Sequence, residues 1–272
     1  MRFFSETVKS NEAAGRPLLI TTSWDDGHPS DLRVADMLEK HGLSGTFYIP
    51  STNSEGRPVL GATQIVELGK RFEIGGHTQE HISLVGIAPH LVADQVLANK
   101  QWLEGLLGRE VCGFAYVRGH HNSIVRSVVD RAGYRYARTV KNLMNTPGPD
   151  RLQVPTTTQF FPHSKSTYVR NYVSGGPTFQ RSSILAAVLK DDKLATRVWR
   201  TAAACARSGG YFHLWGHSWE LDEYDLWGEL DRVLRQLREL DARFVTNAGW
   251  CSKVSRSSDD QGTHCPAPRQ WA

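Results

Sequence analysis

Short apolar, β-branched runs alternate along the chain with stretches whose apolar positions recur at helical spacing. Residues 18–23 (LLITTS) read as a buried strand. Residues 31–41 read as a helix with an apolar face at Leu32, Ala35, Met37 and Leu38, ended by Gly42. A strand is predicted at 45–49, a helix at 63–68 and a short strand at 72–74. Residues 89–107 form a long amphipathic helix with Pro89 in its first turn. A strand at 112–117, a helix at 123–132 and a strand at 134–140 follow. The rhythm then breaks: residues 142–178 hold five prolines among Gly, Ser and Thr, the composition of a long functional loop. It resumes with helices at 183–190 and 194–207, a strand at 211–215, a helix at 224–240 and a strand at 243–246. Alternation of this kind predicts an α/β fold with a mostly parallel sheet covered by helices. About seven such units favour a closed or nearly closed barrel over an open sheet, with chemistry gathered at the C-terminal ends of the strands.

The 272 residues divide into an N-terminal extension (1–17), one folded domain (18–250) and a Ser-, Asp- and Pro-rich tail (251–272) expected to be disordered. With 40% hydrophobic and 22% charged residues, a wholly disordered chain is excluded. No run approaches the roughly 18 apolar residues of a membrane span. A net charge of +4, scattered and without interleaved aromatics, argues against a nucleic-acid partner. Residues 1–9 do not read as a signal peptide. The four cysteines (Cys112, Cys205, Cys251, Cys265) form no C-x-x-C pair. Neither a cysteine-based zinc site nor a disulfide framework is expected, and a reducing, cytoplasmic setting is the simplest reading.

Three polar clusters fall at predicted strand ends. The first is Ser23-Trp24-Asp25-Asp26-Gly27-His28. Adjacent carboxylates cannot both face inward in regular extended chain, but Gly27 lets the backbone turn so that both reach one site. The plain alternative is a solvated Asp-Asp-Gly turn. The second cluster is Gly75-Gly76-His77-Thr78-Gln79-Glu80-His81. On a helical turn, His77 and His81 would share a face suited to one metal. The motif is not H-E-x-x-H, so a metalloprotease is not indicated. The third is His213-Leu214-Trp215-Gly216-His217-Ser218-Trp219-Glu220. Here His213, Trp215 and His217 share one face of an extended strand. His213 reads as a satisfied core histidine and His217 as a site residue. Two histidines and one aspartate make a catalytic-zinc donor set with an open position. The other aspartate is then available as general base and the remaining histidine as general acid.

This constellation resembles the polysaccharide deacetylase family, the chitin-oligosaccharide-deacetylase-like enzymes of carbohydrate esterase family four. The resemblance runs from about Leu18 to Trp250. Ser-Trp-Asp-Asp-Gly is similar to the family's Thr-Phe-Asp-Asp-Gly, which implies Asp25 as catalytic base and Asp26 as metal ligand. His77 to His81 is similar to His-(Ser/Thr)-x-x-His and implies the other two ligands. Where the family has Arg-Pro-Pro-Tyr-Gly, this chain has Ala115-Tyr116-Val117-Arg118-Gly119. The arginine that orients the base is thus replaced by Ala115, and Arg138 is the candidate substitute. The resemblance also implies the backbone N–H of Arg118 as oxyanion donor, and His217 as the acid of the Leu-x-His motif with His213 as runner-up. Tyr116 and Trp215 are the candidate substrate contacts. The implied fold is a distorted (β/α) barrel of about seven parallel strands. The implied activity is hydrolysis of an N-acetyl group from an amino-sugar glycan or glycoconjugate, with zinc as default metal and cobalt or nickel acceptable. Alternatives are the same machinery on another C–N bond or an O-acetyl ester, a non-catalytic carbohydrate-binding relative and, lower still, a two-histidine-one-carboxylate iron oxygenase.

Overall fold

The computed structural model describes residues 17–207 and 210–254; the predicted N-terminal extension and tail lie almost wholly outside the described residues. In chain order the elements are β1 (Leu18–Asp25), α1 (Asp31–Lys40), β2 (Thr46–Ile49), α2 (Ala62–Arg71), β3 (Glu73–Gly76), α3 (Pro89–Leu107), β4 (Gly113–Ala115), α4 (Ser123–Arg131) and β5 (Tyr136–Arg138). They continue with β6 (Thr158–Gln159), α5 (Lys165–Ser174), α6 (Phe179–Leu189), α7 (Leu194–Arg207), β7 (Tyr211–His217), α8 (Ser218–Glu223), α9 (Trp227–Arg238), β8 (Ala242–Phe244) and α10 (Asn247–Val254). The strands run β5-β4-β3-β2-β1-β7-β6, all neighbours parallel, with β8 beside the start of β1. Flanking helices make this a distorted α/β barrel.

The segment expected to be a long loop is partly ordered, and it supplies the missing wall. Val154 bridges Arg138 in parallel, and its amide donates to the Ala137 carbonyl at 2.9 Å. A few residues on, the Thr157 amide donates to the His213 carbonyl at 3.0 Å and β6 pairs β7. One irregular stretch therefore joins the two edges of the sheet. Proline at 155 disguises it, since proline removes a ladder donor and is usual only at strand edges. Beyond it, Ser164 caps α5 by accepting from the Thr167 amide.

The helices bury apolar stripes against this sheet. In α9, Trp227, Leu230, Val233, Leu234 and Leu237 are buried at helical spacing. In α3 the stripe is Val92, Val96, Asn99 and Leu103. Asn99 is the polar exception: its Oδ1 accepts from the His77 amide at 2.9 Å and its Nδ2 donates to the Ile49 carbonyl at 3.1 Å. It ties α3 to the ends of β2 and β3. A Cβ on Gly76 would meet the Tyr134 hydroxyl at 2.1 Å, so only glycine lets β3 pass there.

Two expectations need correction here. The predicted helix over 224–240 is α9, which starts at Trp227 after a turn in which Asp225 adopts φ 50°, and a short helix that the pattern did not predict, α8, precedes that turn. Cys112 is disulfide-bonded, a pairing that the wide cysteine spacing did not suggest. Spacing along a chain does not reveal which thiols a fold brings together.

Candidate active site

The three clusters converge at the C-terminal ends of the strands. Asp25 is the last residue of β1 and pairs in register with His217, the last of β7. His77 follows directly on β3. Asp26 (φ 79°) and Gly27 (φ 61°) turn the chain back in left-handed conformations. A Cβ on Gly27 would lie 2.7 Å from Ile49 Cγ2, which accounts for the glycine. Both carboxylates thereby face one pocket, with Asp25 3% and Asp26 4% exposed.

Residues 77–81 are not a helical turn, which corrects the helical reading of His77 and His81. Left-handed Thr78 (φ 69°) and His81 (φ 54°) instead fold a loop that brings the two rings to 5.1 Å. Of the six non-glycine residues with positive φ among the described residues, Asp26, Thr78, His81 and Arg118 all belong to these motifs, so the strain concentrates at the site. Asp26 Oδ1 lies 2.9 Å from His81 Nε2 and 3.5 Å from His77 Nε2. The three donor atoms lie within 4.8 Å of one another, and Asp26 Oδ1 is buried without a hydrogen-bond partner. His77 Nδ1 donates to the Ala115 carbonyl at 2.8 Å, which leaves Nε2 as the nitrogen that could meet a cation. Burial works to raise the Asp26 pKa, but His77 and His81, with His217 nearby, hold it well below the carboxylate range. A buried carboxylate oxygen facing two imidazole nitrogens is a donor set that a divalent cation fits.

On one flank, Asp25 accepts both oxygens' hydrogen bonds from the Arg138 guanidinium, which is fully buried. Arg138 stands directly across from Ala115 in the β4–β5 register. The guanidinium beside Asp25 thus comes from the strand next to the one that carries Ala115. On the other flank, His217 Nδ1 lies 3.1 Å from Glu220 Oε2. Burial disfavours the imidazolium, but Glu220, Asp26 and Asp25 outweigh it and push the His217 pKa up to about 9. Glu220 is itself held by Gln159 Nε2 at 3.2 Å, and Gln159 Oε1 meets His163 Nε2 at 2.9 Å. His213 lies deeper on β7, with Ser23 Oγ 2.8 Å from Nε2 and the Tyr211 hydroxyl 2.6 Å from Nδ1. Burial lowers its pKa well below the usual value, and with both nitrogens engaged it is a core histidine.

The pocket above the triad has a volume of about 390 Å³. Trp215 lines it, with the Arg138 guanidinium 5.0 Å over its ring. Arg118 also borders it, left-handed (φ 55°) in the 3-10 turn Val117–Gly119, its side chain 2.9 Å from Glu55 Oε1. Tyr116 does not line the pocket: it is buried and its hydroxyl donates to the Leu152 carbonyl at 3.1 Å, so the expected substrate contact is corrected to a core role. Glu220, Asn99 and Glu55 were not anticipated. A polar residue on the apolar stripe of α3 was the available signal for Asn99. For Glu220 it was a carboxylate three residues after His217.

Residues 13–137 match the polysaccharide deacetylase family. No curated protein matches the sequence. Among solved structures, a Mycobacterium smegmatis protein assigned to the polysaccharide deacetylases superposes with TM-score 0.65 at 14% identity, over 93% of this chain and 95% of its own. The chitin deacetylase of Colletotrichum lindemuthianum gives 0.59 at 14% identity, over 87% and 88%. A family 4 acetyl xylan esterase from Clostridium thermocellum, in complex with a cobalt ion, gives 0.52 at 14%, over 84% and 87%. The match to a Streptococcus pyogenes deacetylase is partial, over 50% of this chain and 62% of that one. Residues 13–137, which hold the first two motifs, thus resemble the polysaccharide deacetylases in sequence, and the fold is shared with solved structures over most of the chain.

Proposed function

We propose that this protein is a metal-dependent hydrolase that removes N-acetyl groups from an amino-sugar-containing glycan or glycoconjugate. The observation that carries the reading is the buried Asp26–His77–His81 triad, with a carboxylate paired to arginine on one side and a histidine paired to glutamate on the other. A divalent ion on the triad, zinc by default with cobalt or nickel also accommodated, supplies Lewis acidity toward the acetyl carbonyl and an activated water.

The chain's own residues do the rest. Asp25 accepts the proton of the attacking water, its carboxylate aimed and charge-compensated by Arg138. The Arg118 amide donates to the oxygen on which negative charge develops. His217, kept protonated by Glu220, gives its proton to the leaving amine nitrogen as the C–N bond breaks. Acetate and the free amino sugar result. The pocket size suits a sugar ring and its substituents rather than a long segment of glycan.

Metal analysis combined with acetate release from N-acetylated sugars of increasing length tests the proposal, with O-acetylated sugars run beside them. Acetate from N-acetyl substrates that stops on chelation is expected. Full activity in metal-free protein refutes the scheme, and release from O-acetyl sugars alone replaces the amide reading with an ester one.

A further inference from the structure

Trp219 stands two residues after His217 and makes contacts both through its ring and through its N–H. One face stacks on His217, with ring centroids 5.2 Å apart and planes 23° from parallel. The Arg57 guanidinium lies 3.4 Å from the ring centroid of the indole. Its Nε1–H donates to Asp26 Oδ2 at 2.9 Å.

An indole beside a sugar pocket is ordinarily read as a stacking platform for the ring of a glycan. That role needs a free face. Here the ring already contacts both the His217 imidazole and the Arg57 guanidinium, which compete with a sugar for it. The indole N–H also settles which Asp26 oxygen does what. It occupies Oδ2, and leaves Oδ1, the oxygen facing His77 and His81, without a hydrogen-bond partner. A carboxylate held this way cannot rotate to offer the wrong oxygen, which is how partners of metal ligands raise metal affinity. The same ring fixes the plane of His217, whose Nδ1 faces Glu220, so that Nε2 is left to the substrate.

We propose that Trp219 is a positioning residue that couples the two halves of the site: its N–H orients the metal ligand Asp26 and its face orients the acid His217, with Arg57 clamping it from outside. This rests on the reading of the triad as a metal site and adds to it a specific second partner for Asp26. Arg57 approaches from the 51–60 segment that also carries Glu55, so the segment holding Arg118 and His81 contacts also holds the indole in place.

The test measures zinc alone, by competition with a chromophoric chelator, on the full chain and its variants, with kcat and KM taken at saturating zinc. Trp219→Phe keeps the stack and loses the N–H. Zinc affinity is expected to fall roughly 10- to 100-fold, the usual effect of losing such a partner, with KM unchanged. Trp219→Leu, which loses the stack as well, is expected to lower kcat further at saturating zinc, again without raising KM. Arg57→Gln, at a partly exposed position remote from the core, guards against a folding failure and is expected to weaken zinc several-fold. A Trp219→Phe protein with raised KM and wild-type zinc affinity makes the indole a sugar contact and overturns the proposal. Wild-type zinc affinity in both Trp219→Phe and Arg57→Gln overturns it too. Wild-type protein that binds no zinc instead overturns the metal-site reading beneath it, so the two failures are separable.

Discussion

Replacing Glu220 by glutamine removes a charge from beside His217 and almost nothing else. The carboxylate oxygen sits 3.1 Å from Nδ1. At that distance, with an effective dielectric of about 20, the attraction is about 5 kcal/mol, which together with the Asp26 and Asp25 charges outweighs the cost of burying an imidazolium. The net result is a pKa of about 9 against 6.5 for a free histidine. That difference corresponds to about 3 kcal/mol in favour of the protonated form. Without Glu220, burial acts against only the more distant Asp26 and Asp25, and the pKa returns toward 6.5 or below. The basic limb of kcat is therefore expected to move down by at least about two pH units. At pH 8 the protonated fraction falls from about 0.9 to about 0.03, so kcat drops roughly 30-fold there and only a few-fold near pH 6. The assay is kcat against pH from about 5 to 10 at saturating metal. Stability gives an independent check with the same sign. A raised pKa contributes stability that is fully present below about 6.5 and is lost as pH rises through about 9. The wild-type protein should thus out-melt Glu220→Gln most clearly near pH 6 and lose that advantage above pH 9. A limb that stays in place while the plateau falls refutes the pairing as the source of the acid.

The remaining expectations concern the other partners. Asp26→Ala or His81→Ala should abolish stoichiometric metal binding in metal analysis, whereas Asp25→Asn should retain metal and lose turnover. Arg138→Ala leaves a buried carboxylate uncompensated; a loss of about 3–5 kcal/mol is expected in denaturant unfolding, together with activity, and Arg138→Lys should recover part of both. Gly27→Ala forces a Cβ against Ile49 at φ 61° and should cost about 1–3 kcal/mol and weaken zinc by displacing Asp26. His213→Gln should lower the melting temperature and leave the basic limb of kcat where it is, since its ring is bound to Ser23 and Tyr211 rather than to substrate.

Most of the barrel was legible because period-2 and period-3.6 patterns survive wherever an element packs on one core. The helices at 89–107 and 194–207 are found where periodicity placed them. The segment 142–178 was not legible, because its strand lies at a barrel seam, is interrupted by Pro155 and takes its hydrogen bonds from two different neighbours. At the site, residue types at strand ends pointed to Asp25, Asp26, His77, His81 and His217. The backbone that joins them did not show: an i,i+4 histidine pair is compatible with a helical turn, and only left-handed Thr78 and His81 make the observed loop. Tyr116 was misassigned for a related reason. Position next to a motif does not say on which side of the sheet a ring lies, and its hydroxyl is bound to Leu152 inside the core. Glu220 and Trp219 were visible as residues but not as partners, since a turn of α8 must follow β7 before either can reach His217 or Asp26.

The arginine is the sharpest case of what parallel sheets allow. Comparison by linear motif finds an alanine at position 115 and concludes that the base has lost its partner. In the sheet, however, Ala115 and Arg138 are register partners on adjacent strands, with backbones one strand spacing apart, about 4.8 Å. An extended arginine side chain spans more than that, so either position can deliver a guanidinium to Asp25. The exchange has a consequence at both ends. With alanine at 115, the β4 end is free to approach the metal side, where the Ala115 carbonyl accepts from His77 Nδ1. With arginine at 138, the guanidinium enters beside Trp215 and the ring of Tyr48, 5.0 and 5.2 Å from their centroids, which help compensate its buried charge. The double variant Ala115→Arg with Arg138→Ala should on this argument restore part of the stability and turnover that Arg138→Ala alone loses, measured by unfolding and acetate release. If it restores neither, the two positions are not equivalent donors, and the contact between Arg138 and Asp25 needs a different explanation from a guanidinium displaced by one strand.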